Sequence, residues 1–525
     1  MDVADVRTVR RPPEPSAVLD PSDTSGRRRR WLVAAAATAV VASIVLRFWT
    51  TSDLWLDEAL TVNIARLPLG DIPDALRHDG APPLYYFLLH GWIQLFGEGD
   101  AAVRALSGLF GVATLPVVWL AGRRLAGRQV AWIALLLLAT SPFGIRFSTE
   151  TRMYSLVTLL TLVGYLALRS ALDSPTLPRL AAVGVITGLL LLTQYWAIYL
   201  LIATAIPLLV IVRHKHSNAA AARRAIAAMA AGCVLFLPWV PIFLSQLRHT
   251  GTPWGEPPSL RALVNAVSEF AGGVTSAGRG LAIVIFALAA LALFGRAIDG
   301  RHIELDLHTR PLGRGLAVVI GATLLIAVGI GLATGSAYAA RYTAVVFGLF
   351  ILFIALGPSS FADRRVRGGI VAVAIVAGLW GGTDNITAQR TQAGDLAAAI
   401  TAEGRPGDVV GYCPDQLGPG VSRLLGAGFT ELTYAQARPP ELVDWVDYAE
   451  RLERADPRAF AQLLDERAGT GHDVFLVFSG DYRTHDDVCE QIVGRLAELR
   501  SASRKVKAEP ETFFEHAELY RFQPR

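Results

Sequence analysis

The sequence predicts an all-α polytopic membrane domain with about eleven transmembrane helices, followed by a small extracytoplasmic α/β domain. Two observations lead to this fold class. First, 52% of the 525 residues are hydrophobic and only 18% are charged, with a mean hydropathy of +0.40, whereas a soluble protein of this length carries more charge. Second, apolar stretches recur up to residue 387, each near the roughly 20 residues that a helix needs to cross a bilayer.

The predicted spans are apolar runs separated by short basic or longer polar segments. In chain order they cover 31–50, 104–122, 129–146, 153–171, 180–196, 197–212, 225–244, 280–298, 315–333, 342–357 and 368–387. The run 180–212 is long enough for two short helices, and the polar sequence TQYW at 193–196 marks the expected break. No internal repeat is evident in the sequence, which counts against the inverted-repeat transporter folds.

The positions of Lys and Arg predict the orientation, because short loops rich in these residues stay on the cytoplasmic side. GRRRR at 26–30 precedes the first span and predicts a cytoplasmic amino terminus. With this number of spans, the other short basic loops fall on the same side: GRRLAGR (122–128), RHKH…RR (213–224), GRAIDGRH (295–302) and DRRVR (363–367). A cleaved signal peptide at 27–50 is the alternative, but LRFWT is not a small-residue cleavage site.

We therefore expect a multi-pass protein of the cell (plasma) membrane with three larger segments outside, at 51–103, 245–279 and 388–525. The expected domains are a disordered cytoplasmic amino terminus (1–26), a transmembrane domain (27–387) and an extracytoplasmic α/β domain (388–525). The amino terminus is rich in Pro, Ser and charged residues, which is typical of disorder.

The first outer segment contains PPLYYFLLHGWIQLF at 82–96, which is apolar but only 15 residues long. Counting it as a span would turn every later basic loop outward. We predict instead a helix that lies at the outer membrane interface, with Tyr85, Tyr86 and Trp92 at headgroup depth.

Three motifs in order carry a resemblance to a known family. An Asp-Glu pair soon after the first span, in LWLDEAL (54–60), is followed by HDGAPPLYYFLLHGWIQLFG (78–97) and STETRMYSL (148–156). These motifs in this order make the chain resemble the GT-C glycosyltransferases, and the resemblance covers roughly residues 30–360. It is most like the family-39-like group, which includes the protein O-mannosyltransferases and the bacterial aminoarabinose transferase of lipid A. The resemblance implies a GT-C-like fold, a polyprenyl-phosphate sugar donor, transfer on the outer face, and the acid of the first loop as catalytic base.

The chemistry of such a transfer explains why an acid is needed at the membrane surface. A base must take the proton of the acceptor hydroxyl as it attacks C1 of the sugar. Adjacent helical residues point about 100° apart, so Asp57 and Glu58 cannot both address one atom. We assign Asp57 as the base, partly because the family's motif places the catalytic acid there. Glu58 is expected to orient Asp57 or to hold a divalent cation, and no other cofactor is predicted. The alternative is a pair of acids that stabilises a helix amino terminus or is simply solvated.

The leaving phosphate needs positive charge, because negative charge develops on it in the transition state. Arg152 in ETRMY and Arg341 in AARYTA lie at the outer entrances of two predicted spans. Arginine binds phosphate bidentately and is costly near hydrocarbon unless a partner holds it. Both arginines are therefore candidate donor ligands, and the alternative is that they extend to lipid headgroups.

Further candidate substrate-binding residues flank these motifs. They are His78, Asp79, Tyr85, Glu150, Tyr154 and Tyr342. Glu150 is expected to pair with Arg152 or to assist catalysis. Ordinary loop roles or an aromatic belt at the interface are the alternatives for this group, and Gln194 is expected to form a hydrogen bond between helices. The outer loop HTGTPWGEPP (249–258) is of the kind that gates a substrate.

The segment after residue 388 alternates strand-like and helical runs. DVVGYC (408–413), DVFLVFSG (473–480) and AELYRFQ (517–523) read as strands of a parallel or mixed sheet. The sequence shows no dinucleotide-binding or P-loop motif. Cys413 and Cys489 either form a disulfide or are two separate buried thiols, and the spacing of the three cysteines does not indicate zinc.

The expected partners are a polyprenyl-phosphate sugar donor, a glycan, lipid or protein acceptor, and membrane lipids, with no nucleic acid. Two alternatives remain open from the sequence. One is a glycan ligase that uses a polyprenyl-diphosphate donor. The other is a lipid or glycan transporter without group transfer, which would carry charged residues in the middle of spans and paired broken helices.

Overall fold

The structure is a computed structural model that describes residues 21–251, 259–273, 276–299, 302–334, 338–480, 482 and 485–525. Up to residue 387 these residues are mostly helical. The helices of this part are α1 (Pro21–Leu46), α2 (Leu56–Arg66), α3 (Ile72–Asp79), α4 (Leu84–Phe96), α5 (Asp100–Ala139), α6 (Pro142–Arg146), α7 (Tyr154–Asp173), α8 (Leu177–Leu191), α9 (Ala197–Arg213), α10 (Ala219–Gly232), α11 (Val240–His249), α12 (Leu260–Glu269), α13 (Ser276–Phe294), α14 (Pro311–Thr334), α15 (Ala344–Ile354) and α16 (Arg364–Thr387). Strands β1 (Gly295–Ala297) and β2 (Ile303–Leu305) form a small hairpin after α13.

Helices coincide with every predicted span. Within the described residues, six helical stretches are long and apolar enough to cross a membrane: Asp100–Ala139, Tyr154–Asp173, Ala219–His249, Pro311–Thr334, Ala340–Ser360 and Arg364–Thr387. Shorter apolar helices cover Arg30–Leu46, Leu177–Leu191, Ala197–Arg213 and Gly278–Phe294. The helical membrane domain is therefore as predicted, and the number of crossings remains a prediction.

Helix α5 contains a chain reversal that separates two of the predicted spans. Ala126 and Gly127 leave the helical conformation, and Gly127 has φ +84°, a region that favours glycine. A Cβ atom on Gly122 would lie only 2.9 Å from the Cα atom of Ala131. The two halves of α5 thus pack closely against each other, and the reversal falls within the basic sequence that we predict to be a cytoplasmic loop.

The orientation of the chain can be tested with reporters. All the short basic loops are predicted to lie on the cytoplasmic side, so the last predicted span should leave the carboxyl terminus outside. A reporter fused after Arg525 should therefore register as extracytoplasmic. A reporter inserted at 214–224 should register as cytoplasmic. Alkaline phosphatase and green fluorescent protein fusions would measure the two sides. A cytoplasmic carboxyl terminus would contradict the predicted parity of spans.

The apolar core of the membrane domain surrounds α15. Every residue of α15 is buried, and a helix that is apolar on all sides is expected to lie inside a bundle. Thr158 and Thr161 of α7 donate hydrogen bonds to the carbonyl oxygens of Ala344 and Val345. The short 3₁₀ turn Ala340–Thr343 precedes α15, so this core holds the residues of that turn at one end of the bundle.

A helix is present where the interface helix was predicted at 82–96, as α4, but Tyr85 and Tyr86 are buried in the protein rather than open to lipid headgroups. Tyr85 and Tyr86 are 1% and 2% exposed. The Tyr85 hydroxyl lies 2.7 Å from Ser107 Oγ of α5, and both rings pack inside the protein. Tyr85 packs against Ser107 of α5 and Tyr86 binds Asp79 of α3, because a buried tyrosine hydroxyl needs a protein partner.

The carboxyl-terminal part folds around a five-stranded mixed sheet in the order β5-β4-β6-β9-β7. Its strands are β3 (Gln389–Thr391), β4 (Val409–Cys413), β5 (Thr430–Thr433), β6 (Val474–Phe478), β7 (Ser501–Val506), β8 (Phe513–Glu515) and β9 (Glu518–Gln523), of which β3 and β8 pair separately. Its helices are α17 (Ala393–Glu403), α18 (Gly418–Ser422), α19 (Tyr448–Glu453), α20 (Pro457–Ala468) and α21 (Val488–Leu499). Cys413 and Cys489 form a disulfide that joins β4 to α21.

Two predictions fall partly outside the described residues. The predicted disordered segment 1–26 lies outside them as far as residue 20, and α1 begins at Pro21, where proline suits the first turn of a helix. The predicted gating loop 249–258 lies outside them from residue 252 onward.

Candidate active site

The two acids of the LWLDEAL motif lie in the first turn of α2. Trp55 precedes the helix in an extended conformation and supplies no side-chain cap. The N–H groups of a first helical turn have no partner within the helix, and the helix dipole favours negative charge there. Asp57 and Glu58 therefore suit this position, and the helical geometry directs their carboxylates to different partners.

The Glu58 carboxylate is completely buried in a network of cationic and N–H donors. Arg104 of α5 binds both of its oxygens, with Nε 2.8 Å from Oε1 and Nη2 2.6 Å from Oε2. The Thr151 N–H donates to Oε1 at 2.8 Å, and Arg390 Nη1 lies 3.5 Å from Oε2. Burial acts to raise the pKa of Glu58, but these partners lower it below its ordinary value. Glu58 is thus an ionised carboxylate whose two oxygens are both engaged.

The Asp57 carboxylate is less constrained. Its Oδ2 atom lies 3.4 Å from Arg341 Nη2, and the side chain is 16% exposed. Among the described residues, Oδ2 has no hydrogen-bond partner. One oxygen of Asp57 can therefore accept a proton without first giving up a protein hydrogen bond.

Arg341 lies beside Asp57 because it sits in the turn that precedes the buried helix α15. Its guanidinium carbon is 5.8 Å from the ring centroid of Trp55 and 5.6 Å from that of Tyr342. Aromatic faces attract a cation at these distances. The two rings and the Asp57 carboxylate hold the planar guanidinium at the end of the core.

Arg152 approaches Asp57 from the other side, at the start of α7. Its Nη1 atom donates a hydrogen bond to Thr61 Oγ1 at 2.8 Å. The same atom lies 3.4 Å from the Asp57 carbonyl oxygen and 3.4 Å from the Tyr86 hydroxyl. Arg152 is only 9% exposed, so it adds positive charge to the site from inside the protein.

The two predicted tyrosines are placed next to these arginines. Tyr154 is completely buried, its ring packs 4.7 Å from that of Phe147, and its hydroxyl has no hydrogen-bond partner among the described residues. The ring of Tyr342 lies 5.7 Å from that of Trp196. Gln194 Nε2 donates to the Tyr342 carbonyl oxygen at 3.2 Å, and this hydrogen bond joins the connection between α8 and α9 to the 3₁₀ turn before α15 rather than two helices. The buried Tyr154 hydroxyl is therefore available to a ligand, and the Tyr342 ring lies between Trp196 and the Arg341 guanidinium.

The residues before α4 take two different positions. The Tyr86 hydroxyl donates to Asp79 Oδ2 at 2.7 Å. Burial raises the pKa of Asp79, against the opposing charge of Arg152. His78 instead points away, with Nδ1 2.8 Å from Asp444 Oδ1 of the carboxyl-terminal part. Asp79 thus contributes to the arginine site through Tyr86, whereas His78 links the outer segment to the sheet domain.

Glu150 is buried beside the site, but it does not pair with the Arg152 side chain as the sequence suggested. Arg146 Nε, one helical turn earlier, lies 3.9 Å from Glu150 Oε2. Neither carboxylate oxygen has a hydrogen-bond partner among the described residues. Burial raises the pKa of Glu150, although the charges of Arg146 and Arg390 oppose this shift. The turn between α6 and α7 directs the arginine and the acid to different sides, which the i, i+2 spacing alone did not reveal.

The donor set around Asp57 and Glu58 does not fit a divalent cation. Within the described part of the chain, no group of three or more His, Cys, Asp or Glu side chains could hold a metal ion. Glu58 uses both oxygens on arginines and an N–H group, and Asp57 faces Arg341. These contacts argue against the predicted role of Glu58 as a cation ligand.

Sequence reasoning missed three charged residues of this site. Arg104 lies at the start of a predicted span, on the side predicted to be external, which is the same signal that singled out Arg152 and Arg341. Arg390 follows the last span directly and could have been noticed for that reason. Glu515, whose Oε2 lies 3.3 Å from the Leu56 nitrogen, gave no local signal.

Comparisons with known proteins identify relatives in sequence and in fold. Residues 80–242 match the family model described as dolichyl-phosphate-mannose-protein mannosyltransferase. No curated protein sequence matches the chain. The crystal structure of ArnT from Cupriavidus metallidurans bound to undecaprenyl phosphate has 14% sequence identity, covers 93% of this chain and 98% of its own, and gives a TM-score of 0.61. For ArnT from the same organism in the apo state, the identity is 15%, the coverage is 94% and 98%, and the TM-score is 0.62.

At this level of identity the ArnT structures establish a shared fold, and that fold includes both the helical part and the carboxyl-terminal part because the coverage is nearly complete in both chains. The family match adds a relationship in sequence over the segment that contains Arg104, Glu150 and Arg152. Together they agree with the resemblance predicted from the motifs: residues 80–242 are similar in sequence to the dolichyl-phosphate-mannose-protein mannosyltransferases, and the whole chain has the fold of the aminoarabinose transferase ArnT.

Proposed function

We propose that the protein transfers a sugar from a polyprenyl-phosphate donor to an acceptor hydroxyl on the outer face of the membrane, with Asp57 as general base. The observation that carries this proposal is the pairing of Asp57 with Arg341, in which one carboxylate oxygen has no hydrogen-bond partner among the described residues. A proton acceptor and a phosphate-binding cation therefore lie side by side. The undecaprenyl phosphate bound to ArnT supports the class of donor, and the acceptor is a glycan, a lipid or a protein.

The transfer is a single displacement at C1 of the sugar. Asp57 takes the proton of the acceptor hydroxyl, and the hydroxyl oxygen forms the new bond to C1 with its electron pair. The bond between C1 and the phosphate oxygen breaks, and the electron pair leaves with the polyprenyl phosphate. Arg341 and Arg152 stabilise the negative charge that develops on this phosphate.

Of the two arginines, Arg341 is better placed to bind the donor. Its guanidinium lies against two aromatic faces and forms an ion pair of 3.4 Å with the Asp57 carboxylate, and its side chain is 21% exposed. Arg152 Nη1 already donates a hydrogen bond to Thr61 Oγ1, whereas its Nε atom has no hydrogen-bond partner among the described residues. We infer that Arg341 contacts the phosphate directly and that Arg152, from its buried position beside Asp57, contributes mainly positive charge.

Replacing Arg341 with Lys should lower kcat/KM for the donor by about 10–100-fold, since Lys cannot reproduce the bidentate fork and a hydrogen bond to a charged group is worth about 1.5–3 kcal/mol. Arg152→Lys should also impair transfer. Arg77→Lys is the matched control, because Arg77 lies on the neighbouring helix α3 with a 46% exposed side chain. Initial rates at varied donor concentration measure the effect. Normal activity in both Lys variants at 152 and 341 would assign these arginines to lipid headgroups.

A transfer assay tests the reaction itself. Purified protein in detergent would be given radiolabelled polyprenyl-phosphate sugars, polyprenyl-diphosphate glycans and a membrane extract as the source of acceptor. Transfer from a monophosphate donor that depends on Asp57 is the expected result. Transfer from a diphosphate donor alone would replace the donor class, and lipid movement without transfer in a reconstituted system would overturn the proposal.

A further inference from the structure

The helix that carries Asp57 receives its amino-terminal cap from a distant part of the chain. Leu56 is the first residue of α2, and its N–H donates to Glu515 Oε2 at 3.3 Å. Trp55, the preceding residue, provides no side-chain cap. A first-turn N–H needs an acceptor outside the helix, and a carboxylate is favoured there. The acceptor in this case lies on strand β8 of the carboxyl-terminal part.

The surroundings of Glu515 fix it in this position. Strand β8 pairs in parallel with β3, the strand that directly follows the last predicted span, and Thr391 lies opposite Glu515 in this pairing. The Gln392 N–H donates to the Glu515 carbonyl oxygen at 2.9 Å, and the Thr391 side chain forms a hydrogen bond with the carboxyl group. The ring of the neighbouring Phe514 meets that of Trp55 edge to face at 5.7 Å. Backbone, side chain and ring contacts thus connect this strand to the start of α2.

The same short sheet also reaches the second acid of the motif. Arg390 on β3 lies with Nη1 3.5 Å from Glu58 Oε2, and its guanidinium also donates to the carbonyl and hydroxyl oxygens of Thr149. The first turn of α2 is therefore held by Arg104 from the membrane domain and by β3 and β8 from the carboxyl-terminal part. Asp57 lies between these two attachments.

We propose that Glu515 is a positioning residue for Asp57: by accepting the Leu56 N–H, it fixes the first turn of α2 and so the place of the catalytic carboxylate. This inference rests on the proposed role of Asp57 as base. It assigns to the carboxyl-terminal domain the completion of the active site, since the cap is supplied by that domain. Burial raises the pKa of Glu515 to about 7, and a neutral carboxyl group, like a glutamine amide, still offers an oxygen that accepts the N–H.

The test compares variants that keep or remove this acceptor. Glu515→Leu removes it and should lower kcat by about 10–100-fold, because a displacement of the base near 1 Å costs about 10²-fold. The donor KM should stay within about two-fold, since Glu515 does not contact the phosphate site. Glu515→Gln keeps an acceptor oxygen of the same reach and should retain kcat within about three-fold. The kcat of Glu515→Asp, in which the carboxylate oxygen is drawn back by one methylene, should lie between those of the Leu and Gln variants. Glu515→Asp replaces Glu515→Leu in the test if the Leu variant does not fold.

A double-variant cycle separates positioning from a general structural effect. If Glu515 acts through Asp57, then adding Glu515→Leu to Asp57→Asn should cause no further loss of kcat. Glu518→Leu, on the following strand β9, is the matched control and should keep kcat near that of the wild type, because Glu518 forms an ion pair with Arg504 at 3.5 Å in a partly exposed site.

Each outcome decides one proposal. Wild-type kcat in Glu515→Leu, or losses that multiply in the double variant, would overturn the positioning role while leaving Asp57 as base. If instead Asp57→Asn alone transfers sugar at the wild-type rate, the base assignment fails, whatever Glu515→Leu shows.

Discussion

Asp57→Asn should lower kcat for sugar transfer by about 10²–10⁴-fold, the usual contribution of a general base. Asparagine keeps the size and polarity of the side chain but cannot take the proton of the acceptor. Folding should be preserved, because one Asp57 oxygen has no hydrogen-bond partner among the described residues and its ion pair with Arg341 is long, at 3.4 Å. Donor affinity should change little, since Arg341 and Arg152 remain. Single-turnover transfer and a donor-binding titration on the same preparation would separate these effects.

Asp57→Glu provides the matched comparison. It keeps a carboxylate of similar proton affinity but moves the oxygen by roughly one methylene, which can cost about 10²-fold when the base is misplaced by near 1 Å. Loss in both variants with intact donor binding indicates a base whose position matters. An Asp57→Asn protein that transfers sugar at the wild-type rate would contradict the assignment of Asp57 as the general base.

The membrane fold could be predicted from the sequence because its signals are local. Each span is a continuous apolar run, and the runs that form β4, β6 and β9 are equally direct signals, whereas β3, β5, β7 and β8 were not predicted. The break between α8 and α9 falls at the predicted TQYW, and the basic sequence GRRLAGR contains the reversal within α5. These features depend on residues close together in the chain, so pattern and composition suffice.

The parts of the site that could not be predicted depend on contacts between distant residues. Asp57 stood out because it lies in a short motif, but the partners of Glu58 come from α5 and from β3. The cap from Glu515 joins residues that are 459 positions apart. The burial of Tyr85 depends on the packing of α4 against α5, which hydropathy does not predict. One sequence signal pointed beyond local structure: arginines at the predicted outer ends of spans, where the positive-inside pattern does not favour them. This signal applies to Arg104 as it does to Arg152 and Arg341.

Glu58 should behave in the opposite way to Asp57, since it is expected to matter for stability rather than for proton transfer. Glu58→Gln leaves Arg104 buried without its ionised partner, in a pair whose side chains are 0% and 7% exposed. Breaking a buried ion pair by removing one partner typically costs about 3–5 kcal/mol of unfolding free energy. We expect a lower yield of folded protein and a lower midpoint of thermal unfolding in detergent, with kcat of the folded fraction reduced far less than in Asp57→Asn.

The control for this prediction is an ion pair of the same type at the surface. Arg66 Nε lies 2.7 Å from Glu98 Oε2, but the two side chains are 47% and 51% exposed, and such pairs contribute about 0–1 kcal/mol. Glu98→Gln should therefore leave the unfolding midpoint nearly unchanged, which attributes the effect of Glu58→Gln to burial rather than to the loss of one charge. A Glu58→Gln protein with wild-type stability and no transfer activity, beside an active Asp57→Asn protein, would move the base one residue along the helix. The network of Arg104, Arg390 and the Thr151 N–H argues against that outcome, because a carboxylate with both oxygens engaged and a lowered pKa is a poor proton acceptor.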